Sequence, residues 1–229
     1  MPKIEYLTRV EGLSHIEDAK PIQYSKIMPE WFKSMPNYRD MNDWTTHTAR
    51  KCPSFTDLFK YSYVLRAWTD YKFTFVNDDE WGWETPVDTF SAGGHPNWQY
   101  LDHIGDHKYR AIVKLDSPWM AKLPKGYSLL QIPLIYSPHP NFDTIPGILH
   151  SDVYHGTNPQ LLIKDVAPNQ EFQFTLTRGT PIVSHIPIRR EEWELEVKEG
   201  GSFLERVTSL MSSTKFKDSY RLLTKGFIK

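Results

Sequence analysis

One cysteine in 229 residues, Cys52, leaves the chain without an intrachain disulfide. A reducing compartment suits that, although a single thiol is compatible with others. No apolar run approaches the ~18 residues of a membrane span. The segment MPKIEYLTRVEG lacks the apolar core of a secretory signal. The expectation is a soluble protein made inside the cell, with no membrane partner. An excess of charge of one sign is missing too, since 27 Lys and Arg face 28 Asp and Glu. That balance gives no general attraction to nucleic acid or anionic lipid, so no nucleic-acid partner is expected. There is no Walker loop and no GxGxxG, and Gly93-Gly94 alone signals a turn. Cys52, in RKCPSF with no His nearby, gives no support to nucleophilic thiol chemistry. It is expected to be buried and slow to react.

What the chain has instead is ring and proline: 14% aromatic residues, eight Trp and 17 Pro. Large flat side chains with many prolines fit strands and ordered loops better than a helical bundle. Alternating segments predict strands at Tyr61–Trp68, Lys72–Val76 and Tyr109–Leu115. More follow at Tyr127–Ile135, Gly147–Tyr154, Gln160–Val166, Glu171–Leu176, Thr180–Ile188 and Trp193–Val197. Gly126, Gly147 and Gly179 are expected at strand starts or turns. Pro29 is expected to start a short helical turn and Pro53 a second helix, with Asn37–Ala49 a loop. The fold class is mainly β: a single jelly-roll-like β-sandwich of roughly nine to twelve strands. Residues 1–50 would form an N-terminal extension packed on the body, 51–200 the sandwich, and 201–229 a C-terminal helical segment. The lysines and arginines of that last segment read as a solvated face.

Seven of the nine histidines lie between His95 and His185, which concentrates neutral-pH titration and ligand capacity there. The candidate catalytic residues are His150, Asp152 and His185. On a strand His150 and Asp152 face one side, and a histidine from a neighbouring strand would complete a two-His, one-carboxylate set. That set suits a non-haem iron centre, Fe(II) with 2-oxoglutarate, with Arg189 or Arg190 as carboxylate anchor. Spacing argues against it. An oxygenase of that type threads about four strands before its distal His, and the stretch from Asp152 to His185 has room for about two. The expectation is therefore no metal and no cofactor, with Asp152 bound to backbone amides near Tyr154–Gly156. Trp81, Trp83 and Trp98, with Tyr100 and near His95, form a second candidate group for ligand binding, a stacking platform for a sugar, a base or a peptide. Arg189 and Arg190 are ligand-binding candidates as the carboxylate anchor.

Two resemblances bear on these residues. PGILHSDVYHG and LTRGTPIVSHIPI are similar to strands of the dUTPase and dCTP-deaminase folds. His150 stands where those enzymes have the aspartate that orients water, and their glycine-rich serine motif is missing. The resemblance implies a related β topology and leaves dUTP hydrolysis unsupported. More extensively, the chain resembles an uncharacterised family of tailed-phage proteins, common in marine T4-like cyanophages and distantly similar to a bacterial domain of unknown function. The matching pieces are PEWF (Pro29–Phe32), KCPSF.D (Lys51–Asp57), SPW (Ser117–Trp119), P.GYSLL (Pro124–Leu130), G(I/V)....D.Y (Gly147–Tyr154) and GTPI....IP..RE.W (Gly179–Trp193). This resemblance implies a phage-encoded binding or virion-associated structural module. Its partners would be other virion proteins or itself, and its place the host cytoplasm during infection or the virion. The alternative is a small-molecule enzyme with its pocket at His150, Asp152 and His185.

Overall fold

The structure, a computed structural model, describes residues 2–41, 44–77, 80–104, 108–166 and 170–198. In chain order the strands are β1 (Glu5–Thr8), β2 (Ile22–Gln23), β3 (Tyr38–Met41), β4 (Trp44–His47), β5 (Tyr63–Arg66), β6 (Tyr71–Phe75), β7 (Trp81–Glu84) and β8 (Ala92–His95). They continue as β9 (Tyr109–Leu115), β10 (Trp119–Lys122), β11 (Tyr127–Ile132), β12 (Phe142–Thr144), β13 (Gly147–Leu149), β14 (Gln160–Lys164), β15 (Phe172–Leu176) and β16 (Pro181–Arg189). The helices are short: α1 (Glu30–Ser34), α2 (Pro53–Tyr61) and α3 (Leu101–Ile104). Among the described residues no helix is long and apolar enough to cross a membrane.

Strand accounts for 38% of the described residues and helix for 16%, so the molecule is mainly β. Two compact units share the chain. The first runs through Lys33 and resumes over Phe59–Arg190. The second takes Ser34–Leu58 and the chain from Glu191 on, described as far as residue 198.

The first unit is the sandwich. Its sheets run β13-β11-β16-β5-β2, β12-β14-β9-β8 and β15-β6-β7, with β1 and β10 paired separately. Every pairing is antiparallel. Alternation decides which face is inside. In β6, Tyr71, Phe73 and Phe75 are buried, and Lys72 and Thr74 point away. On β15 Phe174 pairs with Phe73 and Phe172 with Phe75, so rings meet across the strands. Across β9 and β14, Ala111, Val113, Leu115, Leu161 and Ile163 join the same core. β16 adds both Ile182 and Val183, neighbours that would ordinarily face opposite ways. A register irregularity between Pro181 and Val183 turns both inward. A smaller aromatic cluster of this unit centres on Phe59, which meets Tyr24 at 4.7 Å, Phe32 at 4.9 Å and Tyr136 at 5.5 Å.

Gly126 and Gly179 sit in turns with φ of 85° and 87°, just before β11 and β16, and Gly147 opens β13, as expected. Pro29 precedes α1 and Pro53 opens α2, also as expected. Other expectations are corrected. The predicted loop over Asn37–Ala49 contains the β3–β4 hairpin, in the second unit, where Tyr38 and His47 pair and their rings meet at 5.1 Å. Among the described residues strands number sixteen rather than nine to twelve, because polar or two- to four-residue strands such as β2, β7 and β8 carry no alternation to read. Cys52 is exposed: it caps the 3-10 turn Ala49–Lys51, ahead of the apolar face of α2. Trp193, Leu195 and Val197 are at least 85% exposed and form no strand. The helix expected after residue 200 lies outside the described residues.

Phe73 has no exposed surface and stands between rings on β6 and β15. Phe73→Ala is expected to lower unfolding free energy by about 3–5 kcal/mol through lost burial and a residual cavity. Trp193→Ala, at an exposed site, should change it by less than about 0.5 kcal/mol. Urea unfolding of the two variants beside the parent protein measures both.

Candidate functional site

Sheet register brings His150 to Ser128. Leu149, the last residue of β13, pairs with Leu129 of β11, so the next residue of one strand stands beside the preceding residue of the other. The Ser128 hydroxyl lies 3.0 Å from His150 Nδ1. Arg190 follows β16, and its backbone N–H donates to Gly126 O at 2.8 Å. The guanidinium then reaches over both neighbours. It donates to Ser128 Oγ at 3.2 Å, lies 3.1 Å from His150 Nδ1, and binds Asp152 Oδ1 at 2.8 Å. A second N–H goes to Asp152 Oδ2, closing a two-pronged pair. The Gly126 amide donates to the same carboxylate at 2.9 Å. With Arg190 first and the Gly126 amide second, the Asp152 carboxyl is held down to about 2.

A serine hydroxyl at 3.0 Å from an imidazole nitrogen has the spacing of a nucleophile and its base. Two features oppose that use. Ser128 is fully buried, and its oxygen already accepts from Arg190. Nδ1 of His150 faces two donors, which makes it an acceptor and puts the ring proton on Nε2. The Ser128 oxygen, Nδ1 of His150 and the Asp152 carboxylate are thus all engaged around Arg190. The cluster ties the turn Ser151–Val153, the turn at Gly126 and the end of β16 together. Asp152 was expected to bind amides near Tyr154–Gly156; Arg190 and Gly126 hold it instead.

His185 is elsewhere. Ser128 and Gln131 are three residues apart on β11, so they point to opposite faces. Gln131 pairs with His185 across β11 and β16. His185 Nε2 lies 3.2 Å from Gln131 Oε1, and Tyr6 O–H meets Nδ1 at 2.9 Å. Gln131 passes the chain on to Ile145 O at 3.1 Å. Both ring nitrogens are satisfied only in the neutral form, and complete burial pushes the imidazole down to about 4. His150, Asp152 and His185 therefore do not converge, and the Fe(II) and 2-oxoglutarate alternative has no fitting donor set here. Among the described residues no three His, Cys, Asp or Glu are grouped to hold a metal ion.

The aromatic candidates are also divided. Trp81 stacks on Phe75 at 5.7 Å and packs against the core. A Cβ on Gly94 would meet its ring at 2.9 Å, so Gly94 lets Trp81 lie close over β8. Trp83, beside Trp81 at 5.6 Å, is partly exposed, and Trp98 is 64% exposed. His95 hydrogen-bonds Gln99 at 2.8 Å. Arg189 is exposed at the end of β16. Trp81 serves packing, and the rest carry no enclosed surface.

A cleft of about 490 Å³ lies at one end of the sandwich, where loops meet. The segment ahead of β2 gives Val10, Glu11, Leu13, Ile16 and Asp18. The β5–β6 turn adds Trp68, Thr69 and Asp70, the link from β7 to β8 adds Pro86 and Val87, and the β15–β16 turn adds Arg178. Its walls are braced. Arg66 Nε donates to Lys20 O at 2.9 Å, and Trp119 Nε1 to Ala19 O at 3.2 Å. Arg178 Nε reaches Asp18 Oδ2 at 3.1 Å, and the Arg178 amide binds Asp70 Oδ1 at 2.6 Å. Gly179 permits this closeness: a Cβ there would stand 3.3 Å from Asp18 O, on a backbone with φ of 87°. Trp68 is fixed edge-on by Tyr71, whose hydroxyl accepts at 2.8 Å and donates to Phe90 O. Thr69 is only 6% exposed as a residue, and its hydroxyl, without a hydrogen-bond partner among the described residues, keeps access to solvent. Sequence reading places a turn at Thr69–Tyr71 but gives no sign that four distant segments meet there.

No family model, curated protein or solved structure matches this chain.

His185 sets a pH dependence. Its folded-state value near 4 lies below the usual 6.5. Between those values the unfolded chain binds a proton that the folded chain refuses, so stability falls as pH drops from about 6.5 toward 4. The full loss from this group is on the order of 3 kcal/mol. His185→Gln is expected to be less stable than the parent at neutral pH, yet to show a shallower decline over that window. Equal slopes in urea unfolding across pH 7 to 4 would remove His185 as the cause.

Proposed function

We propose that this chain is a ligand-binding β-sandwich module whose site is the cleft between the β5–β6 and β15–β16 turns. The observation that carries this reading is the preformed cleft itself, with the Thr69 hydroxyl open on its wall. Its size falls within the roughly 300–1,000 Å³ of small-molecule sites. By contrast, the Ser128, His150, Asp152 and Arg190 groups satisfy each other, which favours binding over catalysis.

The resemblance to tailed-phage proteins supports a phage-encoded module acting in the host cytoplasm or in the virion, with other virion proteins or a second copy as partners. Mass spectrometry of purified virions tests that placement: stoichiometric recovery supports a structural station, and recovery only from infected-cell extract supports a free binding protein.

A fragment library followed by protein-observed NMR tests the cleft. Hits are expected to shift the Trp68 indole N–H and the Thr69 and Val87 amides. Val87→Trp, which fills the wall, should abolish those shifts while leaving the spectrum folded. Hits that move other regions only, or shifts unchanged by Val87→Trp, would refute the site.

A further inference from the structure

We infer that the cleft takes a small organic cation, an ammonium or guanidinium group on an apolar body. The inference rests on the cleft being a ligand site and adds the chemistry of what enters. Three carboxylates, Glu11, Asp18 and Asp70, face one guanidinium, Arg178. Arg178 is committed to Asp18, so that pair cancels. Asp70 receives only the Arg178 backbone amide, a neutral donor. Glu11 is exposed and takes part in no hydrogen bond or ion pair among the described residues. Two negative charges therefore remain at the cleft without a cation of their own.

The apolar side of the cleft sets the rest of the ligand. Val10, Leu13, Val87 and the Trp68 ring offer carbon surface and no donors there, since the Trp68 indole N–H is held by Tyr71. A polyol would satisfy the carboxylates but leave hydroxyls unpaired against these walls, which costs free energy. An anion meets the uncompensated charge of Glu11 and Asp70. A cation with an apolar body satisfies both sides: carbon against the aliphatic wall and indole, charge toward the carboxylates. The Thr69 hydroxyl, which has no partner among the described residues and opens on the cleft, then accepts an N–H from the ligand's cationic group.

Three probes of one shape and different charge test this on the full chain: phenethylamine, 2-phenylethanol and phenylacetate. Binding is followed by calorimetry and located by the Trp68 and Thr69 NMR signals. Phenethylamine is expected to bind about tenfold or more tightly than 2-phenylethanol, with phenylacetate weakest, and added salt should narrow the gap. Glu11→Gln should weaken phenethylamine by about threefold or more and leave 2-phenylethanol unchanged, which separates lost charge from lost fold. If 2-phenylethanol or phenylacetate binds in the cleft as tightly as phenethylamine, the cation inference is overturned and the cleft remains a site. If no probe shifts Trp68 or Thr69 and the fragment library also leaves them still, both fall together.

Discussion

The inward rows of rings on β6 and β15 are the constraint on which the sandwich depends. Phe73 and Phe75 are fully buried, and each faces a phenylalanine on β15. Burying such rings removes large apolar areas from water, and antiparallel pairing satisfies the backbone groups that burial would otherwise strand. Opposite them, Val113, Leu161 and Ile163 supply the aliphatic surface. A one-residue slip of β15 would turn Gln173 and Thr175 inward, so burial fixes the register. That register in turn fixes the turns: Asp70 and Arg178 lie in the connections that leave β6 and β15 at one end. The cleft forms there because two turns that cross from one sheet to another, β5 to β6 and β15 to β16, meet the segment carrying Asp18.

The same argument explains why the two polar groups of the large sheet play different parts. His185 and Gln131 point inward from β16 and β11, and Tyr6 closes the chain from β1. A buried polar chain of this kind is tolerable because each donor meets an acceptor, and the cost of an unmet one is high. Ser128 points the other way, where His150 and Arg190 are at the surface and half-exposed. Arg190 is the hub there, since its planar fork can serve a carboxylate and a hydroxyl at once. One strand thus carries a neutral, buried network on one face and a charged lock on the other.

How much of this was legible in the sequence follows from period and range. Strands with alternating rings, such as β6 and β15, were readable because burial writes a two-residue period into them. WGWE and AGGH gave no such signal, since β7 and β8 are edge strands with glycine in them. The histidines were a misleading guide. Chemistry-bearing residues drew attention to His150, Asp152 and His185, but two faces of one sheet separate them, and only the pairing of β11 with β16 reveals it. Arg190 was visible as a cation beside the site, though its tie to Asp152 depends on where β13 ends. The cleft was illegible for a different reason: Asp18, Thr69, Val87 and Arg178 are scattered along the chain, and each looks like an ordinary loop residue.

That last point decides where function is to be sought on this molecule. Residues with reactive side chains are placed where the fold needs them neutralised: Asp152 by Arg190, His185 by burial between Tyr6 and Gln131. Thr69 and Glu11 line the cleft without a partner among the described residues, on loops that a rigid core holds in position. The Thr69 hydroxyl opens on the cleft, where water or a bound molecule can reach it. A ligand that brings a donor to that point exchanges one hydrogen bond for another, which yields little net free energy. Discrimination at the rim of this sandwich therefore comes from the charge and the shape of the cleft walls.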